Sequence, residues 1–362
     1  MKVAIMTFNR AINYGAVLQS LALKETIKNL GHECEIINYK CSMVERGASP
    51  FYIRSFTLKD FAIFILQIRM RMKKNKNFDI FAKRYLDTDK NIVTEADISD
   101  ISSNYDAFIT GSDQVWNYEI TGLDKNYFLD FVEADKQRIS YAASFGVGKI
   151  PEQYKARYRE LLRNIDCISV REDKGAEIVE TLLGNRCEIC IDPVFLFNEN
   201  QWKKYVKMPE IGKGYILVYS INKSQCYEAA QKLSEKTGLP VVGLQVPMSN
   251  RMNIRKIQTE SPEEYLGWIY NARYVITDSF HGTAFSIIFK KQFILCTGGN
   301  TEGRSSRQKN LLNTVGLTSR ICTGNQYLKV LEKIDYSDVN EQLNHEIERS
   351  MSFLRNSLQR KE

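Results

Sequence analysis

Short apolar runs alternate along the chain with stretches in which apolar residues recur every three or four positions. The first kind predicts buried strands and the second amphipathic helices. Val3–Phe8 reads as a strand. Gly15–Leu30 then shows helical spacing at Val17, Leu18, Leu21, Leu23, Ile27 and Leu30, and Gly31 fits a helix stop. Glu33–Asn38 returns to strand, so the chain opens with a βαβ unit whose two strands run parallel. Residues 41–100 break the rhythm as an insertion, within which Asp60–Arg71 has the pattern of an amphipathic helix. Alternation resumes with strands at Asp106–Thr110, Arg138–Phe145, Cys167–Val170 and Glu188–Ile191. Helices are predicted from about Pro151 and over Asp173–Leu183.

Residues 197–213 carry mixed polar residues and Pro209, which suits a domain junction. A second alternating set follows, with strands at Tyr215–Tyr219, Pro240–Leu244, Tyr274–Thr277 and Gln292–Cys296. Its helices are Ser224–Thr237, Pro262–Asn271 and His281–Phe289, and residues 337–360 read as a charged, amphipathic terminal helix. The expected fold class is therefore α/β: two Rossmann-like domains, 1–196 and 197–362, facing a cleft, with ligands near the carboxyl ends of the strands.

Composition narrows the class without naming a chemistry. The 362 residues are 43% hydrophobic and 26% charged, ordinary globular values that exclude a largely disordered or integral-membrane chain. No run reaches the ~18 apolar residues of a membrane span. The opening MKVAIMTF is strand-like rather than a signal peptide, and the eight cysteines are scattered through apolar runs. Both features lead us to expect a cytoplasmic protein with buried thiols. Cys187 and Cys190 have CxxC spacing, but no second pair accompanies them, so strand packing is the plainer reading. The net charge of +7 favours anionic ligands or surfaces without requiring nucleic acid, which we do not expect as a partner. With three histidines, a His-rich metal site is not expected. The basic run Arg69, Arg71, Lys73, Lys74 and Lys76 follows an apolar helix face. It is either a solvated helix end or a peripheral contact with anionic lipid on the inner face of a membrane.

Five segments could carry chemistry. In VITDSFHGTAFSIIF (275–289) an apolar strand leads into a helix beginning about His281. Free amides and a positive dipole end there suit an anion. Ser279 could cap the helix or bind phosphate oxygens, Gly282 could let a ligand approach the backbone, and His281 could exchange a proton. GRSSRQKNLLNTVGL (303–317) brings Arg304 and Arg307 to a helix start, against the dipole preference unless an anion is bound. ISVREDKGAE (168–177) places Arg171 after a strand, where it either reaches a cleft or pairs with Glu172 or Asp173. ITGSDQVWN (109–117) offers Asp113 as a base and Trp116 as a sugar-stacking face; the alternative is an Asx-turn with Trp116 in the core. FNRAINYGAVLQS (8–20) puts Asn9, Asn13, Tyr14 and Gly15 in the first βα loop. It lacks the GxGxxG pattern, and its neutral groups suit a hydroxylated ligand, with helix capping as the plain alternative.

Together these segments resemble the polysaccharide pyruvyl transferase family. The matching stretches are MTFNRAINYGAVLQSLAL, FITGSDQVWN, RISYAASFG, ISVREDKGAE, IDPVFLF, VITDSFHGTAFSIIF and GRSSRQKNLL, in family order from residue 1 to about 320. The resemblance implies a GT-B-like fold, with a C-terminal helix crossing back to the first domain. It also implies transfer of pyruvate from phosphoenolpyruvate, a co-substrate rather than a cofactor, to a sugar acceptor, lipid-linked or otherwise, as a cyclic ketal. Carried over by motif, the donor ligands are His281, Arg307 and Arg171, with Ser279, Gly282 and Arg304 beside them. His281 then serves as the acid that protonates the enol carbon, Asp113 as the base on an acceptor hydroxyl, and Asn13, Tyr14 and Trp116 as acceptor contacts. The family commonly places an Arg or Lys two residues before its His; here that residue is Ser279. The rival expectations are a nucleotide-sugar glycosyltransferase on the same fold and a non-catalytic glycan- or anion-binding protein.

Overall fold

The computed structural model describes residues 1–46, 58–212, 214–220, 224–246, 250, 252–297, 306–323 and 326–359. Two compact units emerge: Met1–Leu196 together with Glu346–Glu362, and Phe197–His345. Unit 1 contains β1 (Lys2–Met6), α1 (Tyr14–Asn29), β2 (Glu33–Ile36), α2 (Ser42–Arg46), α3 (Leu58–Tyr85), β3 (Ala107–Thr110), α4 (Tyr118–Thr121), β4 (Gln137–Ala143), α5 (Glu152–Leu162), β5 (Cys167–Val170), α6 (Asp173–Leu183) and β6 (Glu188–Ile189). Its sheet has the order β2-β1-β3-β4-β5-β6, parallel throughout. Unit 2 contains α7 (Glu199–Lys203), β7 (Ile216–Tyr219), α8 (Ser224–Thr237), β8 (Val241–Leu244), β9 (Arg255–Ile257), α9 (Pro262–Asn271), β10 (Tyr274–Thr277), α10 (Phe280–Ile288), β11 (Gln292–Cys296), α11 (Ser306–Thr314) and β12 (Ile321–Cys322). Its order is β12-β11-β10-β7-β8-β9, also parallel, the arrangement of dinucleotide-binding folds. The last helix, α12 (Tyr336–Ser357), starts in unit 2 and from Glu346 belongs to unit 1. The fold class is thus α/β, with two doubly wound parallel sheets and a terminal helix returning to the first unit.

Why these runs become central strands is a matter of burial. A parallel sheet is covered on both faces, so its strands are apolar at successive positions rather than alternating. Val3–Met6, Ala107–Ile109 and Ile216–Val218 are all completely buried. β9 and β12 escape a hydropathy reading because they are edge strands of two or three residues. The insertion helix is longer than its apolar pattern suggested, because Phe78, Phe81 and Ala82 extend the buried face toward Tyr85. Phe78 meets Tyr14 at 5.1 Å between ring centroids. Lys24 ties α1 to the end of α3 through the Tyr85 carbonyl (2.9 Å) and Asp87 (2.8 Å).

The returning helix is fastened by hydrogen bonds as well as apolar contact. The buried Ser350 hydroxyl accepts from the Ile191 amide at 2.9 Å, and Arg349 donates to the Ile189 carbonyl at 2.9 Å. An amide left without an acceptor in such a place costs about 1–3 kcal/mol. Ser350→Ala is therefore expected to lower stability by about that amount, read as a lower urea midpoint by circular dichroism; an unchanged midpoint would show that the anchor contributes nothing.

Candidate active site

Strand order locates the two places where chemistry can gather. In open parallel sheets, ligands bind outside the carboxyl ends of the strands, where connections leave in opposite directions. In unit 1 that point lies between β1 and β3; in unit 2 it lies between β7 and β10.

In unit 1 the strand ends are joined by a buried polar network. Gln19 of α1 donates to the Thr7 hydroxyl at 2.8 Å and accepts from the Ser112 amide at 3.1 Å. The Ser112 hydroxyl donates to the Ala142 carbonyl at 2.8 Å and lies 3.4 Å from Asp192. Arg171, its side chain 2% exposed, pairs with Asp192 at 2.5 Å, with Asp113 at 3.4 Å and with Glu172 at 3.8 Å. Burial by itself would loosen the Arg171 proton, but the carboxylates of Asp192, Asp113 and Glu172 outweigh it and hold the guanidinium charged. The carboxylate of Glu172 also accepts from the Ser144 hydroxyl at 2.7 Å. Gly111 opens this loop at φ +112°, with its Cβ direction 2.3 Å from the Tyr141 carbonyl oxygen, so no side chain fits there.

Beside β1 the first βα loop and the inner face of α3 enclose a cavity of ≈ 340 Å³ lined by Asn9, Arg10, Ile12, Asn75, Phe78 and Thr88 among others. Arg10 is engaged by Glu45 and by Asn38 (2.9 Å), so its charge is already neutralised. Asn9 is 1% exposed, and neither its side-chain amide nitrogen nor its side-chain amide oxygen has a hydrogen-bond partner among the described residues. A buried amide in that state carries a desolvation penalty that a hydroxylated ligand would relieve.

In unit 2 the switch point is stitched by short polar links. The Thr277 hydroxyl donates to the Tyr219 carbonyl at 2.6 Å and accepts from the Ser279 amide at 3.0 Å. Asp278 accepts from the Ser220 hydroxyl at 2.9 Å, joining β10 to β7. Ser279 is the N-cap of α10 and accepts from the Gly282 amide at 3.3 Å. His281 lies in the first turn of α10, 8% exposed, edge-on to Phe280 at 5.1 Å. Gln308 of α11 donates to the Asp278 carbonyl at 3.3 Å, which brings the first turn of α11, and so Arg307, to the same strand end.

The residues expected from sequence thus fall into four groups. Ser279 and His281 follow the carboxyl end of β10, and Arg307 lies in the first turn of α11 next to Gln308, which reaches the Asp278 carbonyl; Arg304 lies outside the described residues. Gly282 has a packing role: a Cβ there would lie 2.5 Å from the Thr277 hydroxyl and 3.2 Å from the Tyr219 ring, so α10 needs glycine to sit on its own sheet. The expectation that it admits a ligand to the backbone gives way to that steric reason. Arg171 and Asp113 do meet, but as members of a buried ion cluster. The partners of Arg171 are chiefly Asp192, with Asp113 and Glu172; Asp173 pairs with Arg186 instead.

The acceptor residues need correction. Trp116 is fully buried, stacked on Phe128 at 5.4 Å, with its indole N–H donating to the Tyr127 carbonyl, so it offers no face to a sugar. Tyr14 is fully buried against Phe78. Asn13 caps α1, accepting from the Gly15 and Ala16 amides. The first loop thus caps its helix, and the second puts Trp116 in the core. Sequence reasoning noticed Asn9 only as part of its loop and missed Gln19, Ser112 and Asp192. Their one signal was a polar residue within or at the end of an apolar run. Burial pushes the thiols of Cys187 and Cys190 up to about 12 and about 11, which removes the thiolate character that CxxC chemistry needs. Among the described residues no group of three His, Cys, Asp or Glu side chains is arranged to hold a metal ion.

A family model described as Polysaccharide pyruvyl transferase matches residues 13–300. No curated protein matches the chain. Solved structures similar to it include a UDP-GlcNAc 2-epimerase from Methanocaldococcus jannaschii in complex with UDP-GlcNAc and UDP. It is 12% identical, with a TM-score of 0.48, over 98% of this chain and 100% of that one. An alpha-glucosyltransferase in complex with UDP-glucose and DNA containing an abasic site is 12% identical, with a TM-score of 0.48, over 98% and 95%. A spinosyn rhamnosyltransferase is 11% identical, with a TM-score of 0.46, over 99% of each chain.

Two stability tests separate packing from charge at these sites. Asp192→Ala leaves the Arg171 guanidinium buried without its nearest partner, and breaking such a pair costs about 3–5 kcal/mol. Asp113→Ala, at the longer contact and with Asp192 still beside the guanidinium, is expected to cost less than Asp192→Ala. Equal losses in urea denaturation would show that the cluster does not depend on Asp192. Gly282→Ala is expected to cost about 1–3 kcal/mol through overpacking, again by denaturation midpoint; a neutral effect would mean that α10 can shift off the sheet freely.

Proposed function

The chain belongs to the polysaccharide pyruvyl transferase family, and from that premise we propose that it moves pyruvate from phosphoenolpyruvate onto a sugar of a cell-surface polysaccharide or its precursor. The product is a cyclic ketal and phosphate is released. The observation that carries this reading is the family match across residues 13–300. The geometry of unit 2 supports the assignment of roles, because His281 lies in the first turn of the helix that follows β10, and the first turn of α11, which carries Arg307, is tied to the same strand end through Gln308.

Two acceptor hydroxyls must form bonds to C2 of the donor while the bond from C2 to the phosphate oxygen breaks. Of the two protons the hydroxyls lose, one goes to C3 and one leaves with phosphate. In this reading His281 delivers the proton to C3. The donor's phosphate and carboxylate are held by Arg307, Arg304 and the amides of the first turn of α10. Ser279 supplies no charge where a basic residue is usual in the family, which puts the electrostatic work on those two arginines. Arg171, enclosed by carboxylates, acts by holding the strand ends of unit 1 rather than by clamping the donor. Asp113 remains the candidate base, with its carboxylate partly shared with Arg171. The acceptor's sugar ring is assigned to the cavity beside Asn9, whose neutral amides and neutralised arginine suit hydroxyl groups rather than an anion.

The strand order of unit 2 favours one second reading, a nucleotide-sugar glycosyltransferase, since that order also binds nucleotides. A panel of nucleotide- and lipid-linked sugars with phosphoenolpyruvate, read by phosphate release and product mass, decides between them. Pyruvyl transfer predicts phosphate release with one acceptor, and a kcat lowered about 10²–10⁴-fold in His281→Ala. Full turnover in His281→Ala would remove its role as acid. Sugar transfer from a UDP- or GDP-sugar with phosphoenolpyruvate inert would establish the second reading, and binding without any turnover would make the protein a glycan or anion binder.

A further inference from the structure

The outer face of α3 carries a pattern that neither unit's sheet explains. At 3.6 residues per turn, Ile65, Arg69, Met72, Lys73, Lys76, Ile80, Lys83 and Arg84 lie within one stripe about 120° wide. All of them are exposed. Ile65, Met72 and Ile80 are 56%, 51% and 51% exposed, large apolar side chains left in water on a helix whose opposite face, with Phe78, Phe81 and Ala82, is buried. The five cations of the stripe face one described acid, Asp79, which is paired with Lys83 at 2.8 Å. The stripe is therefore both apolar and strongly positive, and it lies along a helix of 28 residues.

We propose that this face docks on the surface of an anionic lipid bilayer. An interfacial helix lies in the plane of the membrane, sinks its apolar side chains to the acyl boundary and lets Lys and Arg reach phosphate groups above. Ile65, Met72 and Ile80 are spaced along α3 to do the first, and the five cations flank them to do the second. With its basic residues, α3 lies on a bilayer rather than crossing it. A nucleic acid would use the cations but leave the three apolar side chains without a purpose. A second copy of this chain would bring the same positive charge against itself. Docking there would set the first βα loop, across the same helix, near substrates carried on lipid. The proposal rests on α3 alone and stands or falls independently of pyruvyl transfer.

Sedimentation of the full-length protein with vesicles tests it without any assay of turnover. Binding is expected to vesicles of phosphatidylcholine mixed with phosphatidylglycerol, not to phosphatidylcholine alone, and is expected to weaken as salt is raised. Lys73→Glu with Lys76→Glu should weaken it about tenfold or more. Met72→Gln with Ile80→Gln should also weaken it several-fold, while Lys236→Glu on unit 2 should leave it unchanged. Unchanged circular dichroism melting confirms that these surface variants are folded. The proposal is overturned if wild-type protein sediments with neither vesicle or equally with both. It is also overturned if the apolar variant binds as the wild type does, or if the face mediates self-association or duplex binding without vesicle binding.

Discussion

A guanidinium with 2% of its surface exposed can remain charged only if carboxylates surround it, and Arg171 is the point on which unit 1 turns. Removing an ion from water costs several kcal/mol even after relaxation, and only close opposite charges and further hydrogen bonds offset that. Here the compensating groups come from separate places in the chain: Asp113 from the loop after β3, Glu172 from the turn after β5, and Asp192 from beyond β6. Satisfying one cation therefore fixes three loops against one another. The neighbouring Ile191 amide is held by Ser350, so the returning helix is anchored at the same place.

The two switch points use the same topology differently. In unit 1 the protein's own side chains link the ends of β1, β3 and β5 into a network through Thr7, Gln19, Ser112 and Arg171, and the polar cavity lies to one side, under α3. In unit 2 the links are short and local, Thr277 to Tyr219 and Asp278 to Ser220, and they leave His281 in the first turn of a helix otherwise packed on all sides. The first arrangement builds rigidity and the second places a histidine at a helix N-terminus. The helix α3 likewise divides its labour: one face completes a core and a cavity, and the other keeps apolar and basic side chains in water.

Much of this was legible from spacing alone. Parallel strands buried on both faces leave unbroken apolar runs, and helices between them leave a 3.6-residue period, so both sheets and most of the helices could be read directly. Edge strands β9 and β12 could not, because two or three residues half-covered by a neighbour have no pattern of their own. Motif spacing placed Ser279 and His281 at the end of β10 and Arg307 at the start of a later helix; only the fold ties that helix to the same strand end, through Gln308. Motif spacing misplaced Trp116, read as a sugar-stacking face, and Tyr14, read as a hydrogen-bonding group for a hydroxylated ligand. Once folded, each has enough apolar surface to be drawn into the core.

The sequence by itself determined the fold class, the place of the insertion and the family, because these depend on periodicity and on residues close together in the chain. Only the tertiary structure decided which polar residues are buried in internal networks and which border a cavity or a helix end. Whether Arg171 clamps an anion or serves as an internal counter-ion depends on Asp192, 21 positions away, and on Asp113, 58 positions away. Whether Asn9 is a satisfied loop residue or part of a polar cavity depends on a helix that packs beside it from more than sixty residues on. Burial and charge balance are properties of the assembled neighbourhood, and no local pattern encodes them.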